Sequence, residues 1–195
     1  SIDIPNSVTE IGMYAFDGCS SLESIDIPDS VTEIRERAFR YCSSLKTIYI
    51  PDSVTKIDEC VFWECSSLKS IDIPNSVTKI GDGAFYKCSS LESIDIPNSV
   101  TNIGSSAFYG CSSLESIDIP NSVTEIGYGA FSGCCALKNI IIRCKNIENV
   151  AVVQDAFVDV DFNECVLHIP SETRWSYRHH PIFGKFKNIV AERFD

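Results

Sequence analysis

A column of aspartates is the first feature of the sequence that suggests chemistry. The same aspartate recurs every 23 residues, and a tyrosine replaces it once. Neighbouring carboxylates could bind Ca²⁺, which prefers oxygen ligands, or could act as a general acid–base pair. The members of this Asp column are Asp3, Asp26, Tyr49, Asp72, Asp95 and Asp118.

The Asp column has a simpler explanation than metal binding or catalysis. An acid–base pair needs two carboxyl groups in unequal environments, and equivalent positions of a repeat do not provide them. Two carboxylates one strand apart in water repel each other by only about 1 kcal/mol, before salt screening. A repulsion this small is tolerated when the repeat that carries the aspartate is duplicated. We therefore predict no bound metal and no cofactor.

The remaining catalytic residue types also give no pattern. The three histidines are His168, His179 and His180, and adjacent residues point to different sides of a helix. No serine or cysteine stands out as an activated nucleophile, and no glycine-rich phosphate loop is present. The sequence predicts a protein that is not an enzyme.

The ten cysteines favour packing over chemistry. Neither CxxC pairs nor Cys/His clusters occur, so the sequence gives no support for zinc. Cys144 and Cys165 could form a disulfide in an oxidising compartment, or both could be free thiols. A thiol that recurs at one place in each repeat behaves as a small core hydrophobe. The six that do so are Cys19, Cys42, Cys65, Cys88, Cys111 and Cys134.

The elements that position all these residues come from an internal repeat. Six units of 23 residues tile residues 1–138, and the thirteen letters SSLESIDIPNSVT occur unchanged at 89–101 and 112–124. Within a unit, Ser-Ile-Asp-Ile alternates as a short strand does, and Pro with Asn or Asp makes a turn. An extended arm follows, then an Ala-Phe…Cys stretch that we expect to form one helical or 3₁₀ turn.

One such coil cannot be stable alone. Ordering its backbone costs about 1–2 kcal/mol per residue, and its few large side chains return only about 1.5–3 kcal/mol each. Coils that stack cover one another and pair their strands in parallel. The pattern therefore predicts a solenoid in which Phe16, Phe39 and Phe62 form an interior row.

The repeat pattern LxxIxIPxxVxxIxxxAFxxCxx, seen in CSSLESIDIPNSVTEIG, closely resembles the BspA-like, treponemal-type leucine-rich repeat family. The resemblance implies an α/β fold: a right-handed solenoid of 23-residue coils with a parallel sheet on its concave face. It also implies an exported or surface-attached bacterial protein. Several members of the family are described as adhesins that bind host proteins.

The sequence divides into three parts: six regular repeats at 1–138, irregular longer repeats at 139–170 and an atypical C-terminal cap at 171–195. We expect a seventh strand at 139–143 and further repeat features in Ala156-Phe157 and Leu167–Pro170. In the cap, Ser171 is expected to N-cap a short helix that ends near His179 before Pro181. Apolar residues then seal the last coil, namely Phe183, Phe186, Ile189 and Val190.

The first repeat shows no cap. Ile2 and Ile4 would present a bare strand edge, which is an aggregation risk. We therefore expect further coils or a capping segment before Ser1, and edge-to-edge association is a possible consequence of this open end.

Outward-facing residues are the only ones that the repeat leaves free for binding. On the strand face, we expect the residue before Ile-x-Ile, the middle residue and the proline to point outward. On the other side, Trp63, Tyr86 and Tyr109 should stack in consecutive coils, where they either dock a partner or simply cover the phenylalanine row. The candidate binding surface therefore consists of Asp26, Tyr49, Asp72, Asp95, Asp118, Trp63, Tyr86 and Tyr109.

A local basic spot on the acidic column has its own pair of explanations. Arg35, Arg37 and Arg40 could form a small cationic site, or they could simply pair with Glu33 and Glu36. The two explanations differ in whether the guanidinium groups are free.

Charge and composition exclude several classes of function. The net charge is −11, and an acidic surface repels nucleic acid. No apolar run is long enough for a membrane span. The leading hypothesis is a non-enzymatic protein–protein interaction module of a secreted or cell-surface protein, adhesin-like and extracellular by resemblance. The alternatives are a glycan-binding module and a structural spacer.

Overall fold

The computed structural model describes residues 2–194 and shows a parallel-strand solenoid. It has about eight turns of about 23 residues each, with few helices. Each repeat contributes a short strand to one or both of two parallel sheets, so the fold predicted from the repeat is confirmed.

The first sheet is built from the Ile-x-Ile segments, and we call it the Ile-x-Ile sheet. Its last four strands pair in the order β13-β12-β10-β8, and β2 pairs with β4. Single bridges join Asp3 to Asp26, Asp72 to Asp95 and Asp95 to Asp118. The strands are β2 (Ser24–Ile25), β4 (Thr47–Ile48), β8 (Ser116–Ile119), β10 (Asn139–Ile142), β12 (Val166–Pro170) and β13 (Asn188–Glu192).

The register of this sheet pairs equivalent positions of successive coils. Ile117 pairs with Ile140, and Ile140 with Leu167. Because side chains alternate along a strand, the isoleucines point into the core, where nearly all are buried. Two prolines depart from our expectation, because Pro51 and Pro120 are buried rather than outward-facing, whereas Pro5 is exposed and the prolines at 28, 74 and 97 are half-buried.

The second sheet was not predicted, since the sequence indicated only extended arms. It is continuous in the order β11-β9-β7-β6-β5, while β1 pairs separately with β3. Its strands are β1 (Glu10–Ile11), β3 (Glu33–Ile34), β5 (Lys56–Ile57), β6 (Lys79–Ile80), β7 (Asn102–Ile103), β9 (Glu125–Ile126) and β11 (Ala151–Val152).

Glycine after these second-sheet strands lets the coils approach closely. A Cβ added to Gly127 would lie 2.5 Å from the backbone nitrogen of Ser105, and one on Gly81 would lie 2.7 Å from the backbone of Asp58. The sheet is interrupted between β3 and β5. At that junction both facing residues, Arg35 and Asp58, carry side chains.

The Ala-Phe…Cys stretch is not a helix, so our expectation of a helical or 3₁₀ turn was wrong in detail. It consists of consecutive turns, with bonds such as Asp17 N–H to the Tyr14 carbonyl at 3.1 Å. Two residues per coil interrupt helical geometry because φ is positive there, for example 59° at Tyr14 and 71° at Gly18.

These turns also join the coils to one another. The Phe39 N–H donates to the Val61 carbonyl at 3.0 Å, and the Phe85 N–H donates to the Ala107 carbonyl at 2.7 Å. The phenylalanine rings stack as predicted, with Phe16 and Phe39 5.1 Å apart between ring centroids and nearly parallel. The row continues through 39, 62, 85, 108, 131 and 157 at spacings up to 5.8 Å.

The C-terminal segment closes the last coil with a buried aromatic group. Phe183 and Phe186 are fully buried and Ile189 is 5% exposed, but Val190 is 41% exposed because it points out of strand β13. Tyr177 was not among the predicted sealing residues. It is fully buried and donates its hydroxyl to the Cys144 carbonyl at 2.7 Å.

The predicted helix of the cap is shorter than expected. A 3₁₀ turn spans Ser171–Thr173, and the α-helix (α1) spans Arg174–His179 with no side-chain N-cap. Ser171 therefore does not cap it, because the 3₁₀ turn separates the two. The Thr173 hydroxyl donates back to the Pro170 carbonyl at 2.8 Å. Two further 3₁₀ turns span Ile147–Asn149 and Phe183–Lys185.

The first coil is covered on one side only. Ile2 is 40% exposed, and Phe16 and Cys19 are half-buried, whereas Phe39 and Cys42 one coil later are fully buried. Ser1 lies outside the described residues.

We predict that Gly127→Ala lowers the free energy of unfolding by about 1–3 kcal/mol, because the new methyl group overlaps the Ser105 backbone of the preceding coil. The matched control is Gly12→Ala at the same position of the first coil, where nothing lies within 4 Å of the added atom. Urea unfolding followed by circular dichroism would measure both. Equal effects of the two substitutions would contradict the close-approach explanation.

Candidate interaction surfaces

On the outward face of the Ile-x-Ile sheet, Tyr49 places an aromatic ring where the other repeats have an aspartate. The Asp26 and Asp72 side chains are exposed on either side of it, and Tyr49 itself is 52% exposed. A cavity of about 250 Å³ opens here, which we call the Tyr49 recess. It is lined by Ser24, Ile25, Asp26, Thr47, Ile48, Tyr49 and Asp72.

Nearby carboxylates orient the Tyr49 ring. Its hydroxyl donates to Oδ1 of Asp29 at 3.3 Å. Partial desolvation, together with the negative charges of Asp29 and Asp52, raises the pKa of the Tyr49 phenol. The hydroxyl therefore stays protonated at neutral pH and acts as a hydrogen-bond donor.

At the C-terminal end of the same face, the protein neutralises its own Asp column. The Arg143 guanidinium donates to both oxygens of Asp118, at 2.9 and 2.7 Å, and this pairing raises the pKa of Arg143. The same guanidinium lies 5.0 Å from the centroid of the Phe194 ring. This pair was not predicted from the sequence, and it joins residues 25 positions apart on adjacent coils.

His168 occupies the Asp-column position of strand β12. Its Nδ1 lies 2.9 Å from Oε1 of Glu192, and its Nε2 lies 3.2 Å from Oδ1 of Asn139. These contacts tie the cap strand β13 to the two strands before it, so His168 has a structural role in this arrangement.

The second predicted surface is the aromatic ladder formed by Trp63, Tyr86 and Tyr109. Trp63 and Tyr86 stack at 3.7 Å between centroids, and Tyr86 and Tyr109 stack at 4.8 Å. The Trp63 ring also lies over Gly83, where an added Cβ would approach it to 3.0 Å. All three rings are half-buried.

Face-to-face stacking limits what the aromatic ladder can bind. Each interior ring face is covered by its neighbour, so the ladder presents mainly ring edges to solvent. Lys87 extends this cover, with Nζ 5.4 Å from the Tyr86 centroid and 4.0 Å from Glu64. The geometry is compatible with both predicted roles, covering the phenylalanine row and forming a rigid edge for a partner.

The basic spot is paired within the protein. Arg35 contacts Glu10 at 3.1 Å and Glu33 at 2.7 Å. Arg37 pairs with Glu36, so the predicted pairing of these two arginines is confirmed.

The third arginine of the spot pairs differently from our expectation. Arg40 binds Asp17 of the preceding coil through two bonds of 2.8 and 2.9 Å. Its guanidinium lies 4.9 Å from the Tyr41 centroid and 5.4 Å from that of Tyr14. These contacts raise the pKa of Arg40 and leave no free cationic site at this spot.

Over residues 2–194, no group of three or more histidine, cysteine or acidic side chains is arranged to hold a metal ion. Within the same range, no helix has the length and hydropathy needed to cross a membrane.

The recurring cysteines form a buried column. The Cys88 thiol donates to the Phe62 carbonyl at 3.1 Å, and the other column members from 42 onward do the same with the phenylalanine of the preceding coil. Burial raises the pKa of Cys42 and of Cys134 to about 12, so neither is a nucleophile at neutral pH. Cys144 and Cys165 are not joined in this structure, and both thiols are buried.

We predict that a thiol-reactive disulfide reagent at pH 8 labels Cys135 first, because Cys135 is exposed. Cys19 and Cys60, which are half-buried, should follow, and the buried thiols should react only on unfolding. Colorimetric titration would measure this, and Cys135→Ser should remove the fast phase. Rapid reaction of more than these three thiols in the folded protein would contradict the assignment.

Comparisons with known proteins agree with this geometry. The BspA type leucine-rich repeat region matches six copies over residues 1–102 and 78–173. A leucine-rich repeat protein from Bacteroides ovatus is 39% identical with a TM-score of 0.69, and the match covers 83% of this chain and 43% of that one. This chain thus spans less than half of that relative.

Two further structures share the fold. The leucine-rich repeat protein of Treponema pallidum is 25% identical with a TM-score of 0.61, over 88% of this chain and 87% of that one. The pneumococcal vaccine antigen PcpA is 20% identical with a TM-score of 0.51, over 88% and 56%, and shows likeness of fold alone. A comparison with curated protein sequences gave no match. The chain belongs to the BspA-type leucine-rich repeat family.

Proposed function

We propose that this chain is a non-enzymatic protein-binding module of a secreted or cell-surface bacterial protein, with an adhesin-like role. Membership of the BspA-type family supports the proposal, because leucine-rich repeat folds generally mediate protein interactions. The family is also typically found on bacterial surfaces or secreted, which supports an extracellular location.

The observation that carries the proposal is the Tyr49 recess. Tyr49 is the one break in the regular Asp column between Asp3 and Asp118, and it stands 52% exposed beside a cavity. An exposed tyrosine ring offers a large contact area at a low conformational-entropy cost. We place the centre of partner binding here, with Asp95 and Asp118 extending the surface along the sheet.

The aromatic ladder is proposed as a flanking contact rather than the centre. A glycan-binding module would need free ring faces, since sugars pack on them, and the stacking of Trp63, Tyr86 and Tyr109 covers most of those faces. The spacer alternative predicts that neither face binds anything. Within the module, we propose that residues 1–138 and 139–170 provide the surface and that residues 171–195 cap it.

We predict that immobilised chain retains one or more purified extracellular matrix proteins, and that Tyr49→Ala weakens this binding about tenfold or more, as expected of an exposed aromatic hot spot. Surface plasmon resonance would measure the affinity, and a glycan array would test the alternative directly. Ladder variants Trp63→Ala, Tyr86→Ala and Tyr109→Ala should have smaller effects. Binding that depends on the ladder but not on Tyr49 would relocate the site, and no binding in either assay would favour the spacer.

The strand edge of the first described coil is a second proposed contact. An unpaired strand edge recruits other strands, and we propose that two copies associate edge to edge there. Light scattering over a dilution series should show a dimer that Ile2→Lys weakens, because lysine on an edge opposes pairing. The control is Tyr128→Lys at an exposed position away from the edge. A monomer at all concentrations would refute this association.

A further inference from the structure

The chain repeatedly uses one constellation, a guanidinium held between a carboxylate and an aromatic ring. In the first case, Arg40 makes two bonds to Asp17 of the preceding coil, while its guanidinium carbon lies 4.9 Å from the Tyr41 centroid. Arginine suits both contacts, because its planar fork matches a carboxylate and its flat face stacks on a ring.

The second case lies on the Ile-x-Ile sheet itself. Arg143 binds both oxygens of Asp118, and its guanidinium carbon is 5.0 Å from the Phe194 centroid. Asp118 is a member of the Asp column. An aspartate of this column can therefore bind an arginine side chain on the outward face of the sheet.

The Tyr49 recess holds the same kinds of group without a cation. Asp26 and Asp72 line it together with the Tyr49 ring, and strand residues Ile25 and Ile48 also border it. Among residues 2–194, no lysine, arginine or histidine lies within ion-pair distance of Asp26 or Asp72.

The nearest lysines along the chain are engaged elsewhere. Lys46 pairs with Glu23 at 2.7 Å, and Lys69 contacts Glu92 at 3.5 Å. The recess therefore keeps its negative potential, which Asp29 and Asp52 beside the Tyr49 ring reinforce.

We propose that the Tyr49 recess receives an arginine side chain from an extended segment of a protein partner. The guanidinium stacks on Tyr49 and donates to the flanking Asp26 and Asp72, two carboxylates in place of the single Asp118 carboxylate that Arg143 binds with Phe194 beside it. The inference rests on the proposed protein-binding function and adds the chemistry that the partner must present. Lysine fits less well, since its ammonium is a compact, strongly hydrated charge that cannot bridge two carboxylates with a flat fork.

The test uses three blocked glycine-rich peptides that differ at one residue, which is arginine, lysine or citrulline. NMR titration of the folded chain measures each dissociation constant and reports whether the Tyr49 ring signals shift. We expect the arginine peptide to bind about tenfold more tightly than either of the others, with the largest shifts at the recess. The double variant Asp26→Asn, Asp72→Asn should lose this binding, whereas the matched double variant Asp155→Asn, Asp159→Asn, at exposed positions outside the candidate binding surface, should retain it.

Tyr49→Asp separates the proposal from diffuse attraction to an acidic surface. The substitution restores the regular repeat, so folding is preserved, and it adds a negative charge. Diffuse attraction therefore predicts binding that is equal or tighter for both cationic peptides. The proposal predicts instead that the preference for arginine over lysine disappears.

Equal binding of the arginine and lysine peptides to the unchanged protein would overturn the inference. It would also be overturned if the Tyr49→Asp variant bound the arginine peptide more tightly and still preferred it to the lysine peptide. Failure of the arginine peptide alongside successful capture of a matrix protein would refute the arginine assignment and leave the protein-binding function standing. Selective arginine binding without any matrix-protein capture would uphold the recess and count against the adhesin-like role.

Discussion

The contact of each coil with the next is the constraint on which the rest of this structure depends. Backbone N–H groups of one turn segment donate to carbonyls of the following coil, as Phe39 does to Val61, and the phenylalanine rings stack at 5.1–5.8 Å along the whole row. Because every coil is a template for its neighbour, a residue that suits one coil suits all of them. The identical thirteen-residue segments are the consequence, and so are the thiols buried against the carbonyls of the preceding coil.

Close stacking also explains where the regularity fails. Glycine follows the second-sheet strand at 81, 104 and 127, and there the coils approach so closely that a methyl group would overlap backbone atoms. Where Arg35 faces Asp58, neither residue is glycine, and the second sheet is interrupted. The strands therefore pair where at least one of the two facing residues is glycine, and the pairing is interrupted where neither is.

Charge on the outer faces is compensated at some positions and left negative at others, and the contrast is informative. Arg40 and Arg143 each bind an aspartate on an adjacent coil beside an aromatic ring. The Tyr49 recess has the carboxylates and the ring but no cation within the described residues. Since the same kinds of group are satisfied twice elsewhere in the chain, this unfilled position is the most specific feature of the surface.

The sequence by itself determined the 23-residue period, the interior phenylalanine row, the packing role of the recurring cysteines and the stacking of Trp63 on Tyr86. Each of these follows from one residue repeating at a fixed interval, which places it above its own copy. Only the tertiary structure decided the second sheet, the left-handed turn residues, the 3₁₀ turn that displaces Ser171 from the helix start, and the pairing of Arg143 with Asp118. These depend on how far backbones and long side chains reach between unlike positions of adjacent coils, and a repeat period carries no information about that reach.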